Sequence, residues 1–86
     1  MGKYEKIYTH ILMRKSDTNI SFDELVGLLI KLGFELRTKG DHYIFTKEGL
    51  EEIINLQPVH GKGKPYQIKQ VRQIILKYNL KLGDLG

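Results

Sequence analysis

The sequence contains no cysteine, so it can form neither a disulfide framework nor a thiolate metal site. This absence suits a reducing cytoplasm, which is where we expect the protein to act. No apolar run approaches the roughly 18 residues that a membrane-spanning helix requires. The opening "MGKYEKIYTH" lacks the apolar core of a signal peptide, and Lys6 stands where a myristoylation signal needs Ser or Thr. We therefore expect no membrane partner.

The length of 86 residues predicts a single domain spanning residues 1–86. A chain of this size buries only about 60–65% of the surface that its unfolded form exposes. Its core is therefore modest, and a deep, enclosed active site is not expected. Any chemistry should take place on an open face.

Acidic residues are missing from one long stretch, residues 58–82, although the net charge of the whole chain is only +4. The six basic residues of this stretch are Lys62, Lys64, Lys69, Arg72, Lys77 and Lys81. A basic block beside a more balanced half favours an anionic partner, with nucleic acid as the main candidate. A merely solvated cationic surface is the alternative that charge alone leaves open.

Apolar residues recur at helical spacing in three segments, residues 3–15, 21–32 and 65–80. Ser21 and Glu24 match a capping box at the start of the second helix, and Gly33 fits the left-handed position after its end. Pro65 suits the first turn of the last helix. Residues 1–19 form a helical extension in this prediction, and residues 20–80 form the core unit.

Between the second and third helices the apolar period changes to two, which is typical of strands. "FELRTK" and "HYIFT" are joined by "GD" as an antiparallel hairpin, and "LEEIINLQP" is predicted to add a third strand. The sequence thus predicts an α+β fold. It has an N-terminal helix followed by α-β-β-β-α, with the helices on one face of a three-stranded antiparallel sheet.

The alternation within the hairpin decides where its histidine points. If Tyr43 and Phe45 join the core, His42 faces outward and shares the wet side of the sheet with Arg37 and Lys39. Tyr43 and Phe45 could instead be base-stacking aromatics on that wet side. We favour the core for both rings. A solvated hairpin histidine with no function is the alternative for His42.

The order of these pieces resembles the HicA family of toxins from type II toxin–antitoxin pairs. The resemblance covers residues 21–80, through a capped helix ending in "LGF", the hairpin "KGDHYIF", the turn "KEG", a strand, "HGK" and a closing helix. It implies a fold like the double-stranded-RNA-binding domain. It also implies a metal-independent endoribonuclease that cleaves mRNA, with no cofactor, and a HicB-type antitoxin partner.

The family's functional histidine falls on His42, which the resemblance makes the catalytic residue, and its preceding glycine falls on Gly40. Two positions depart from the family pattern. Asp41 replaces a small residue, and Tyr43 replaces a second histidine. Asp41 either lowers activity by adding negative charge or orients the imidazole. Histidine titrates near neutral pH and suits general acid or base catalysis, but one histidine leaves open which role it takes.

Cations near the histidine would stabilise the charge that develops on the phosphate. In "HGKGK", a glycine-rich loop before a helix N-terminus is predicted to clamp the RNA backbone. The predicted RNA-binding residues are Arg37, Lys39, Gly40, Lys47, His60, Lys62 and Lys64. The histidines are far apart in sequence and lack ligand spacing, so we predict no metal site.

Two other function classes stay open at this point. One is an RNA-binding domain of the same fold without catalysis, and the other is a small DNA-binding or adaptor domain. Three roles are open for the first helix, namely homodimerisation, contact with the antitoxin and extension of the core. RNA cleavage, with mRNA as the substrate, is the leading prediction.

Overall fold

A computed structural model describes residues 2–13 and 18–82 of the chain. In order, its elements are α1 (Lys3–Met13), β1 (Ile20–Ser21), α2 (Phe22–Lys31), β2 (Glu35–Lys39), β3 (His42–Thr46), β4 (Ile54–Leu56), β5 (Lys62–Gly63) and α3 (Pro65–Tyr78). The predicted α+β order, with an extra helix at the start, is confirmed. None of these helices combines the length and the apolar character needed to cross a membrane. Part of the first predicted helix, residues 14 and 15, lies outside the described residues.

The ends of α2 follow the local signals in the sequence. The backbone N–H of Glu24 donates to Ser21 Oγ at 3.4 Å, which caps the first turn. Gly33 follows the last turn with a φ of 100°, a value that only glycine adopts without strain. One face of the helix is buried, as predicted, through Phe22, Leu25, Leu28, Leu29 and Leu32.

The main sheet has three antiparallel strands in the order β2-β3-β4. Leu36 lies opposite Phe45, and Phe45 lies opposite Ile54, so these apolar side chains form the core face. The third strand is confirmed, although it is shorter than the segment that predicted it. The sheet covers one side of the core, and the helices cover the other.

A second, two-stranded sheet was not predicted. It pairs Ile20 with Gly63 and joins β1 to β5 in antiparallel fashion. The turn before β5 places His60 and Gly61 at φ values of 52° and 74°, the two positive angles of a type I′ turn. The backbone N–H of Phe22 donates to Gly61 O at 2.9 Å, which fastens this turn to the start of α2. What the sequence indicated as a loop is therefore a fixed hairpin.

Helix α1 extends the core by packing against α2 and α3. Its side chains Ile7 and Ile11 are buried in the same apolar cluster as the residues of the sheet and of the other two helices. Arg72 of α3 is also buried, and its Nε donates to the carbonyl of Ile11 at 2.8 Å. The hydroxyl of Tyr8 donates to Leu80 O at 2.6 Å. Of the three roles predicted for this helix, extension of the core is the one that agrees with its contacts within the chain.

Candidate functional site

The β2–β3 hairpin places His42 directly after a two-residue loop. Gly40 has a φ of 62° and Asp41 does not share the positive angle, which is the combination of a type II′ turn. Lys39 and His42 are the facing pair that closes this turn. The first side chains beyond the loop are therefore a lysine and a histidine on the same face of the sheet.

That face is the solvent-exposed one, as the alternation predicted. Arg37, Lys39, His42 and Asn55 are exposed, whereas Phe45 on the opposite face is fully buried. His42 thus lies beside cations on an open platform.

Tyr43 points to the core face. Its ring meets that of Phe22 edge to face, with centroids 4.9 Å apart. An aromatic ring held in this way under the sheet is not available to stack on a base from the wet side. The core assignment of Tyr43 is therefore confirmed.

The imidazole of His42 has a partner on the neighbouring strand. Its Nδ1 lies 3.1 Å from Oδ1 of Asn55, and the histidine side chain is 50% exposed. Because a carbonyl oxygen only accepts, this contact is a hydrogen bond in the tautomer that carries its proton on Nδ1. The neutral ring then presents Nε2 as an acceptor with room for a ligand.

A second polar contact links the hairpin loop to the chain beyond β4. Gln57 Nε2 donates to Asp41 Oδ2 at 2.7 Å, while Asp41 Oδ1 lies 3.9 Å from Nε2 of His42. The carboxylate is too far from the imidazole for a hydrogen bond but close enough to attract the ring when it is protonated. Asp41 is thus held mainly by Gln57, and His42 by Asn55.

The same link continues to the start of α3. The buried Gln67 donates from Nε2 to the carbonyl of Gln57 at 3.2 Å, and its Oε1 accepts from the backbone N–H of Lys64 at 3.0 Å. The hairpin loop, the end of β4 and the N-terminus of α3 therefore lie at one end of the molecule. This end brings the predicted "HGKGK" loop to the same side of the fold as His42.

The loop cations are exposed at that end. His60 occupies the tip of the type I′ turn. Lys62 Nζ donates to Oδ1 of Asn19, and Lys64 Nζ lies 5.8 Å from the centroid of the Tyr66 ring. Because these partners are neutral, neither lysine charge is cancelled by them.

Lys47 lies apart from the other predicted site residues. It follows the far end of β3, five positions and about 16 Å along the strand from His42. Its ammonium group lies over Gly33, in the space that a Cβ would fill, where the carbonyls ending α2 favour a cation. The structure groups Arg37, Lys39 and Gly40 with His42, and it does not bring Lys47 to them.

The basic block of residues 58–82 is not one surface. Arg72 is buried, and Lys77 Nζ pairs with Glu52 Oε2 at 2.6 Å. The Tyr78 hydroxyl also donates to Glu52. The Lys77 ammonium, followed by the Tyr78 hydrogen bond, lowers the pKa of Glu52 to about 2. The same carboxylate raises the pKa values of Lys77 and Tyr78.

Asn55 and Gln57 are the site residues that the sequence analysis missed. Their signal was nevertheless present in the pattern of β4. Once Ile54 and Leu56 alternate toward the core, Asn55 and Gln57 must face the wet side. Their exact partners depend on strand register, which one sequence does not specify.

Comparison with protein families finds one match over most of the chain. The family model described as the HicA toxin of bacterial toxin–antitoxin matches residues 22–81. The match begins at α2 and includes both sheets' strands from β2 onward, so α1 and β1 precede it. Neither the curated proteins nor the solved structures provide a match.

Proposed function

Because the chain belongs to the HicA toxin family of bacterial toxin–antitoxin systems, we propose that it is a toxin that cleaves mRNA without a metal ion. The observation that supports this proposal most is the setting of His42. Its ring is half exposed on the wet face of the sheet, held through Nδ1 by Asn55, with Lys39 as its cross-strand neighbour. A cytoplasmic RNA of any length can reach such an open platform.

RNA carries its own nucleophile, and this makes a metal-free cleavage chemically reasonable. The 2′-oxygen attacks the adjacent phosphorus, so that a 2′-O–P bond forms and the P–O5′ bond breaks. The 2′-hydroxyl proton goes to a base, and the departing 5′-oxygen takes up a proton. The products are a 2′,3′-cyclic phosphate and a 5′-hydroxyl end, with no net oxidation or reduction.

In this mechanism Nε2 of His42 is the nitrogen that exchanges the proton. With Nδ1–H donating to Asn55, the neutral ring offers Nε2 as a base, and the protonated ring offers Nε2–H as an acid. Lys39 and Arg37 lie on the same face and would stabilise the negative charge of the phosphorane. The pH–rate profile separates the two roles, because a base loses activity as pH falls and an acid loses it as pH rises.

The decisive test compares His42→Ala with the wild-type protein on RNA in the presence of EDTA. We expect fragments with cyclic-phosphate ends from the wild type. We expect His42→Ala to lose about 10²- to 10⁴-fold in rate, the usual contribution of a positioned acid or base. Glu48→Ala is the control, because Glu48 is exposed beyond the far end of β3 and should leave the cleavage rate unchanged.

Two results would count against the assignment. A folded His42→Ala protein, verified by circular dichroism, that cleaves at the wild-type rate removes His42 from the mechanism. A wild-type protein that shifts RNA in a gel without producing fragments supports instead a non-catalytic RNA-binding domain.

The loop lysines are proposed to clamp the RNA backbone. Lys62 begins β5, and Lys64 follows this strand immediately before α3, whose first turn contains no acidic residue. Replacing both with Gln should weaken binding and reduce the slope of log K against log salt by about 1.4, at 0.7 for each phosphate contact on a single strand. An unchanged slope would argue against the clamp.

The family implies an antitoxin partner, and we propose a HicB-type protein that covers the wet face or displaces His42. The first helix has little exposed apolar surface with which to form a homodimer. Its buried side chains Ile7 and Ile11 are already used within the chain, and Met13 is its one large apolar side chain that is mostly exposed. Sedimentation of the protein with and without Met13→Ser tests a dimer through this helix.

A further inference from the structure

A cleft of about 390 Å³ opens between α1 and the segment that leads into α2. Lys3, Lys6 and His10 line it from one side, and Asn19 and Glu24 line it from the other. The lysines and the histidine share a side because positions three and four apart face the same way on a helix. This cleft includes α1, which lies outside the residues that match the family.

Among the residues that the structure describes, the balance of charge in the cleft is positive. Lys3 and Lys6 are exposed, and Lys62 brings a third ammonium to its rim through the hydrogen bond to Asn19. Of the described residues at the cleft, Glu24 is the opposing carboxylate, so the three lysines leave a net excess of two positive charges before any contribution from His10. The acidic residue of α1, Glu5, accepts from the backbone N–H of Gly2 and is not among the lining residues.

The floor of the cleft is apolar and continuous with the main core. Ile7 and Ile20 line it, and both are buried in the main core. Ile20 is also held by its pairing with Gly63 in the small sheet. The backbone that carries Lys3 and Lys6 is therefore anchored to the core through Ile7.

The hairpin that carries His60 connects this cleft to the proposed catalytic end. On one side, Lys62 reaches Asn19 at the rim of the cleft. On the other side, Gln57, which precedes this hairpin, donates to Asp41, the residue next to His42. One polymer lying across this hairpin could thus contact both places, and a string of phosphates matches such a line of cations.

We propose that the cleft between α1 and the start of α2 binds the phosphate backbone of the same single-stranded RNA that lies at His42. This inference rests on the proposed function, since it assigns the cleft to the same substrate. It gives α1 a second task besides filling the core. An RNA long enough to span both places gains affinity from the cleft, whereas a short one does not.

The experiment measures binding in a His42→Ala background, so that the RNA stays intact. The probes are single-stranded RNAs of about 16 and about 4 nucleotides, the two ends of the usual range of site sizes. The test variant is Lys3→Gln/Lys6→Gln. The matched control is Lys31→Gln/Lys81→Gln, which removes the same charge from exposed lysines at the end of α2 and after α3.

For the long probe we expect Lys3→Gln/Lys6→Gln to weaken binding about 25-fold at 0.1 M salt. The slope of log K against log salt should fall by about 1.4, because two contacts at 0.7 each are lost. The short probe should bind as before. The control pair should change the affinity for the long probe far less, and all variants should keep the wild-type circular dichroism spectrum.

The proposal is overturned if the test and control pairs weaken the long probe equally. It is also overturned if Lys3→Gln/Lys6→Gln leaves RNA binding unchanged but abolishes binding of the antitoxin. Failure of the proposed catalysis is a different result. In that case wild-type protein leaves RNA uncut, while the dependence of binding on Lys3 and Lys6 still supports the cleft.

Discussion

The imidazole of His42 and the side-chain amide of Asn55 meet across the β3–β4 pair, with Nδ1 3.1 Å from Oδ1. The two residues sit on neighbouring strands and project from the same wet face. A histidine at the end of a hairpin would otherwise sample several rotamers. Asn55 is therefore proposed as the positioning residue for His42.

Asn55→Ala should lower kcat between about tenfold and about a hundredfold, because a misplaced proton-transfer group loses its near-attack geometry. The KM for RNA should change little, since Asn55 has no charge to offer a phosphate. Asn55→Asp should shift the histidine-dependent limb of the pH–rate profile toward higher pH, because a nearby carboxylate favours the imidazolium. Glu35→Ala, on the same face at the other end of the hairpin, is the control. An unchanged profile in Asn55→Asp would exclude Asn55 from this role.

Asp41→Asn tests the two roles that the sequence left open for this carboxylate. Asp41 is bound by Gln57 and lies 3.9 Å from the imidazole, so its main effect on RNA should be repulsion of the backbone. We expect Asp41→Asn to bind RNA about fivefold more tightly at 0.1 M salt, the effect of about one charge. Glu51→Gln, which changes an exposed residue before β4, should leave the affinity for RNA unchanged. A loss of kcat in Asp41→Asn with unchanged binding would instead assign Asp41 to orienting the ring.

The ion pair of Glu52 and Lys77 should make stability depend on acid. The pKa of Glu52 is about 2 in the folded protein, below its ordinary value of 4.5. A lowered pKa means that the folded state favours the carboxylate, so its contribution is present above about pH 5 and disappears as pH falls toward 2. Urea unfolding of Glu52→Gln across this range should show a smaller loss of stability than the wild type. Glu48→Gln, at an exposed turn, should follow the wild type.

Substitutions at Gly27 of α2 and Tyr4 of α1 test how closely these two helices pack. A Cβ at Gly27 would overlap the ring of Tyr4. Gly→Ala inside a helix usually stabilises by about 0.5–1 kcal/mol. Here we expect Gly27→Ala to lower the free energy of unfolding by about 1–3 kcal/mol through overpacking.

The second arm of this experiment adds Tyr4→Ala. In that background Gly27→Ala should recover its usual small benefit, which appears as a coupling energy in a double-mutant cycle by urea unfolding. If the changes in the free energy of unfolding are additive, the ring of Tyr4 does not contact α2 at Gly27.

Local patterns in the sequence were enough for the main elements and for the orientation of His42. Period-two alternation predicted which face of the hairpin carries His42, and Ser21 and Gly33 predicted the ends of α2. These signals come from residues that are neighbours in the chain, so one sequence contains them.

Long-range contacts were beyond such patterns. The small sheet has strands of only two residues, too short for any periodicity to register. The burial of Arg72 depends on the carbonyl of Ile11, 61 positions away. The sequence gives no sign that one basic residue among several others is buried. The basic block was therefore predicted as one continuous exposed surface, which it is not.

The bond from Tyr8 to Leu80 joins positions 72 residues apart. The helix that contains Tyr8 can therefore make this contact only after α3 has been synthesised. Contacts between residues so far apart in the sequence form late and slow folding, because a large loop of chain must close before they can be made. Docking of α1 is thus expected among the last steps of folding, after the local hairpins have formed.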